Sequence, residues 1–329
     1  MGFLVSVFFG FAPMLLLALF IYWLDRYEKE PGILLGVAFT WGAVIAASAA
    51  FLINSTFGTG VYIFTGSEAL ASFTTGTFVA PIVEESLKGL AVLLVFLLFR
   101  SEFDSILDGI VYAAITALGF AATENTYYIY SYGFLENGWW GLFIMIIVRV
   151  VMVGWQHPFY TAFFGIGLAL RRLNRSGVVR WVAPIGGWLA AVILHSAHNT
   201  ISKLLAGGMG IFISTSFDWL GWLFMFFFIL WMISRERKMV TRCLQDEVQQ
   251  GLITSPQYHV ACSAWSQTAT RTAALFKGRF RETNRFYQLC AELAHKKNQL
   301  QTLGEETGNS KYIKEIKAEL AKLASSVQG

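Results

Sequence analysis

Pro81-Ile82-Val83-Glu84-Glu85-Ser86-Leu87-Lys88-Gly89 decides how this chain is read. Three ionisable residues fall between Glu84 and Lys88, yet Phe78-Val79-Ala80 precede the stretch and an unbroken apolar run, 90–99, follows it. Inside a bilayer each such group costs about 2.5–3.5 kcal/mol on the insertion scale, so three in little more than a turn demand a function. Glu84 and Lys88, four apart, share a helix face in the favourable acid-before-base order. That makes Lys88 the counter-ion of Glu84. Glu85, rotated by about 100°, faces another neighbour.

The rest of the chain supplies the membrane. Hydrophobic residues make up 55% of the sequence and charged residues 14%, which fits a polytopic membrane protein and excludes an ordinary soluble domain. Seven apolar spans follow: 3–24, 33–54, 78–99, 106–130, 139–170, 181–202 and 211–233. The fold class is therefore all-α, a bundle of about seven transmembrane helices. The first run lacks a basic n-region and a cleavage site, so it reads as a retained helix. Tryptophans near the span ends (Trp139, Trp140, Trp181, Trp219, Trp222) fit interfacial belts.

Loops after spans one, three and five carry Arg26 and Lys29, then Arg100, then Arg171, Arg172, Arg175 and Arg180, whereas the other loops carry only Lys203. The positive-inside rule then puts those loops and the C-terminal tail in the cytoplasm and the N-terminus outside. Glu68 to Phe99 and Trp139 to Leu170 are too long for straight spans, so Pro81 and Pro158 are expected to kink them. Two regions result: a bundle over 1–234 and a cytoplasmic amphipathic helical tail over 235–329. Trp265, Phe276, Phe280, Phe286 and Tyr287 are candidates for the tail's core. The run Lys277-Gly278-Arg279-Phe280-Arg281 reads as a solvated face, with contact to anionic lipid headgroups as the alternative. Cys243, Cys262 and Cys290 form no metal-binding or disulfide pattern.

Polar residues recur in three later spans: Glu124-Asn125, His157, and His195 with His198 and Asn199. With Arg100, Asp108, Arg171 and Trp181 taken as cytoplasmic ends, a rise of about 1.5 Å per residue sets the depths. Glu85, Glu124, His157 and His195 come out at about 22, 24, 21 and 21 Å by that rise. Four helices thus bring an acid or an imidazole to one level in the outer half of the bilayer. Glu and His are zinc ligands, and a catalytic zinc takes three protein ligands and keeps one position open. Glu124, His157 and His195 supply three. Glu85 or Glu84 would deprotonate the attacking water, and Asn199, one turn from His195, would hydrogen-bond the developing oxyanion.

Plainer readings stand beside these. Glu84, Glu85 and Lys88 could be an ion-paired lock between helices, and His157 a hydrogen-bonded core imidazole. Glu124 could orient a histidine instead of binding metal, and His198 could replace His195 as ligand. Asp108 and Tyr112 fix helix packing. Arg149 either snorkels to headgroups or binds a substrate carbonyl.

Glu84-Glu85-x-x-Lys88, Asp108-Gly109-x-Val111-Tyr112, Gly119-Phe120-x-x-x-Glu124-Asn125, His157 and His195-x-x-x-Asn199 together resemble the PrsW family of intramembrane metalloproteases, as does Asp25-Arg26-Tyr27-Glu28-Lys29-Glu30-Pro31. That family is related to the CAAX-prenyl-protease and bacteriocin-immunity superfamily, which often has His where this chain has Glu124. The resemblance covers about residues 20 to 200. It implies a bacterial plasma-membrane protease making the site-1 cut in a membrane-anchored anti-sigma factor, a single-pass substrate, with no nucleic-acid partner. A proton- or cation-coupled transporter is the alternative that buried Glu, His and Lys also allow, although no inverted repeat supports it. A non-catalytic scaffold is a third.

Overall fold

The computed structural model describes residues 1–205, 208–305 and 308–327, and among these there are helices but no strand. The chain forms two compact units. One comprises Met1–Leu24 and Glu30–Phe227, and the other comprises Asp25–Lys29 and the chain from Phe228 onward.

The first unit holds α1 (Gly2–Leu24), α2 (Gly32–Thr65), α3 (68–98) and α4 (Ile106–Tyr128). It continues through α5 (139–152), α6 (Gln156–Leu173) and α7 (Gly177–Leu204) into α8 (Gly208–Gln249). Five helical stretches are long and apolar enough to cross a membrane: Gly2–Leu24, Gly32–Thr65, Ile106–Leu173, Gly177–Leu204 and Gly208–Gln249. The expected spans map onto these five and α3. Ile106–Leu173 carries two of them, because the backbone leaves helical geometry at Asn137 and Gly138 (φ 61°). α3 is too charged to join the five, and its Glu84, Glu85 and Lys88 are buried inside the unit.

α4 is the centre. Every residue from Leu107 to Ala122 is buried, in a stretch rich in Ala and Gly. Small residues let backbones approach closely, which drives helix association where the hydrophobic effect is absent. At the crossing of α4 and α6 a Cβ on Gly109 would lie 2.2 Å from the Gly165 carbonyl oxygen, and one on Gly165 would lie 2.0 Å from that of Gly109. The start of α4 is fixed by a capping box. Ser105 Oγ accepts from Asp108 N (3.2 Å), and Asp108 Oδ2 accepts from Ser105 N (2.7 Å). Tyr112 donates to Glu30 (2.5 Å), tying α4 to the segment that leads into α2.

Neither proline breaks its helix where it stands. Pro158 lies in the first turn of α6, where a missing N–H costs nothing, and the break comes before it, at 153–155. Pro81 follows a π-helical turn, Thr75–Val79, within the continuous α3. Lacking an N–H, Pro81 leaves the Thr77 carbonyl without its helical donor. Ser196 Oγ on α7 takes that carbonyl (2.6 Å), and Asn199 Nδ2 takes the neighbouring Gly76 carbonyl (2.8 Å). This is how irregular backbone survives at membrane depth: a neighbouring helix re-satisfies it.

The second unit packs the rest of α8 with α9 (Ser255–Ala261), α10 (Ala264–Phe276), α11 (Phe280–Leu303) and α12 (Asn309–Leu323). Its core includes Leu244, Phe286, Tyr287, Leu293, Ile316 and Leu320. Of the five aromatics expected there, only Phe286 and Tyr287 are buried; Trp265, Phe276 and Phe280 are exposed. Trp265 and Phe276 stand at the two ends of α10, and Phe280 is the first residue of α11. Tyr27, from the loop after α1, belongs to this core and is 1% exposed. Burial pushes its phenol up to about 12. The adjoining backbone is held too: Lys29 N donates to Gln288 Oε1 (3.1 Å) and Gln288 Nε2 to the Lys29 carbonyl (3.2 Å).

Candidate active site

Glu84, Glu85 and Lys88 on α3, His157 on α6 and His195 on α7 are all at most 6% exposed and meet in the interior of the first unit. Lys88 Nζ lies 2.5 Å from Glu85 Oε1 and 3.9 Å from Glu84 Oε2. The ammonium therefore sits closer to Glu85 than to its expected counter-ion, because Glu85 is pinned in place. Its Oε1 also accepts from His195 Nδ1 (3.0 Å), and its Oε2 accepts from Thr161 Oγ1 (2.8 Å). Glu85 is saturated. Glu84 differs: Oε1 accepts from Asn54 Nδ2 (3.3 Å), whereas Oε2 is buried without a hydrogen-bond partner.

Glu124 comes to the same cluster from α4. Its Oε2 lies 2.8 Å from His157 Nε2 and also takes a short bond from Arg149 Nη2. Arg149, expected to reach headgroups or a substrate carbonyl, turns inward instead. Glu124 and Asn125 are the nearest acceptors: Arg149 Nε donates to Asn125 Oδ1 (3.1 Å), and the guanidinium covers the Tyr128 ring at 4.3 Å. Asp108 acts as the cap described above. Asn199, expected as an oxyanion donor, is committed to the Gly76 carbonyl.

Glu84, His157 and His195 each offer a ligand atom within 4.8 Å of the other two. The donor set anticipated from depth alone had Glu124 in place of Glu84. Donors about 2.0–2.1 Å from a tetrahedral ion are about 3.4 Å apart, so a modest closure would bring the three onto one ion. Two observations support the fit. The Glu84 oxygen that faces His195 Nε2 (3.9 Å) is the unpartnered one. Each imidazole also has a carboxylate on one nitrogen, Glu85 on His195 Nδ1 and Glu124 on His157 Nε2, as ligating histidines characteristically do. Lys88 Nζ is itself a cation among these donors, 3.0 Å from His157 Nδ1.

The family model described as PrsW family intramembrane metalloprotease matches residues 30–232. The chain belongs to the PrsW family. It is 32% identical over 192 residues to a Protease PrsW of Geobacillus kaustophilus, covering 58% of this chain and 76% of that protein. It is 26% identical over 228 residues to Protease PrsW of Bacillus subtilis, covering 68% of this chain and 88% of that one. No solved structure matches. A PrsW-family chain with these helices is a bacterial membrane protease, a hydrolase acting on membrane-embedded protein. A coupled transporter or an inert scaffold does not describe such a family.

Four polar residues around this PrsW-family site are not among those that the sequence singles out. Asn54 and Thr161 are ordinary residues in apolar helices. Asp218, on α8, is fully buried and collects three partners: Tyr160 Oη donates to Oδ1 (2.7 Å), Gln156 Nε2 donates to Oδ2 (2.8 Å), and His198 Nδ1 lies 2.6 Å from the same Oδ2. His198 thus faces Asp218 and not the three ligand atoms. A lone acid in a hydrophobic run was the available sign for Asp218, and Gln156 beside His157 was the other.

Proposed function

We propose that this PrsW-family protease makes the first cut in a single-pass membrane protein, near the outer leaflet, with an anti-sigma factor as the substrate class. Glu84 is its reactive carboxylate, and Glu84, His157 and His195 would hold zinc. The observation that carries the assignment within the site is the Glu84 Oε2 atom, a buried carboxylate oxygen without a hydrogen bond beside two imidazoles. A buried carboxylate oxygen without a hydrogen bond carries a desolvation cost, and groups of this kind cluster at functional sites.

When bound, the ion supplies Lewis acidity, lowering the pKa of water and polarising a carbonyl. Everything else falls to the chain. Glu84 would give its open Oε2 to the ion, and its Oε1, held by Asn54 at 3.3 Å, would take the proton of the attacking water. Glu85 and Glu124 hold the two imidazoles in one tautomer and orientation. Lys88 pairs with Glu85 (2.5 Å), and the Phe120 ring lies against its ammonium (4.4 Å). Ser196 and Asn199 fix the α3 backbone against α7, setting Glu84 and Glu85 against His195.

The depth reading puts this site in the outer half of the bilayer, and the basic loops put the N-terminus outside and the tail in the cytoplasm. The test is reconstitution in lipid nanodiscs with a single-pass anti-sigma-type reporter, followed by mass spectrometry of both fragments. The expected cut lies within about two turns of the reporter's outer membrane boundary. A cut at the cytoplasmic boundary would overturn the placement, and an intact reporter would overturn the substrate class.

A further inference from the structure

Asp218 does more than satisfy its neighbours, because every group that it binds stands next to one of the two imidazoles. Gln156 precedes His157 directly. Tyr160, one turn on, lays its ring on His195, with centroids 5.1 Å apart and planes at 20°. His198 is one turn beyond His195 on α7. The same turn of α8 also repairs the break ahead of His157: Trp219 Nε1 donates to the Met152 carbonyl (2.7 Å), and Trp222 Nε1 donates to the Trp155 carbonyl. The Met152 carbonyl loses its helical donor there, because Gln156 N bonds the Val153 carbonyl (3.1 Å) instead, while the Trp155 carbonyl keeps Phe159 N (3.3 Å); backbone groups cannot stay unpaired at membrane depth.

We infer that Asp218 is a positioning residue for proteolysis: through Gln156, Tyr160 and His198 it fixes His157 and His195 in the orientation that the reaction needs. The inference rests on the reading of those imidazoles as the reacting site. A carboxylate suits the task, since it accepts several bonds at once and a charge-assisted bond is about twice as strong as a neutral one. Tyr160 transmits the constraint because its hydroxyl is anchored to Asp218 while its face holds His195. No substrate contact is needed. Asp218 therefore acts on turnover and leaves substrate binding alone.

The test uses full-length protein in nanodiscs and three variants, Asp218→Asn, Tyr160→Phe and the double variant. Two readouts are followed: kcat and KM on a single-pass reporter that the wild type cuts, and the rate of diethylpyrocarbonate modification of His157 and His195, mapped by mass spectrometry. Outer-shell partners of such histidines are worth about 10–100-fold, so kcat should fall by that factor with KM within about threefold. Modification of His195 should speed up about fivefold or more in both single variants, with the melting temperature near that of wild type. The double variant should be no worse than the poorer single one, as expected of residues in one network.

Wild-type labelling rates together with wild-type kcat in Tyr160→Phe would overturn the inference. That variant removes one oxygen and keeps the ring, so it decides the matter even if Asp218→Asn does not fold. If the wild type cuts no reporter, the proposed function fails, whereas the labelling comparison still reads the orientation of His195.

Discussion

At the scale of single residues, the neighbouring carboxylates of α3 have opposite duties, and their variants should separate. Glu85 binds Lys88, His195 and Thr161, whereas Glu84 keeps one oxygen open. Glu84→Gln should cut turnover by about 10²–10⁴-fold, the usual weight of a positioned base, with the melting temperature held or raised. Glu85→Gln should lower stability by several kcal/mol, since breaking a buried pair typically costs about 3–5 kcal/mol. Detergent melting curves beside single-turnover cleavage distinguish the two. Depth along a helix was legible because rise per residue is fixed, and it brought Glu85, Glu124, His157 and His195 to one level. Rotation was not. Which of Glu84 and Glu85 keeps an oxygen without a hydrogen bond depends on how α3 packs, and the π-helical turn ahead of Pro81 has no reliable sequence mark. Asp218 was illegible for a related reason: its partners Gln156, Tyr160 and His198 come from two other helices, at no fixed spacing.

At the scale of elements, the irregular stretch of α3 should behave as a coupled pair with α7. Ser196→Ala strips the Thr77 carbonyl of its donor and should cost about 1–3 kcal/mol, the penalty of an unsatisfied buried acceptor. Combined with Pro81→Ala, which restores a backbone N–H, the same change should cost less than half as much; equal costs in both backgrounds would refute the account of that turn. The α4–α6 crossing is the stricter constraint. Gly165→Ala puts a methyl group against the Gly109 carbonyl and should destabilise by about 1–3 kcal/mol or force the helices apart. Prolines were readable as irregularities, but not where the breaks fall, because Pro158 is tolerated in a first turn and the chain departs at 153–155 instead.

At the scale of the whole molecule, a five-residue loop belongs to the C-terminal unit. Tyr27 fills that unit's core, so Tyr27→Ala should cost it about 3–5 kcal/mol, as large aromatic truncations do. Hydrogen exchange in α11 reads the loss directly, and unchanged protection there would contradict the packing. The alternation of charged and apolar residues after Ser234 announced helices, yet nothing in it indicated that residues 25–29 complete their core. In the other unit, Glu84, His157 and His195 are proposed to form a metal-dependent hydrolytic site. Its most direct test is cleavage of a single-pass reporter by wild type and by His195→Ala in nanodiscs, with bound divalent metal quantified, before and after chelation and zinc readdition. Wild type should carry about one zinc per chain, lose activity on chelation and regain it with zinc, and His195→Ala should show neither metal nor cleavage. Full cleavage by metal-free wild type would contradict the proposed metal dependence.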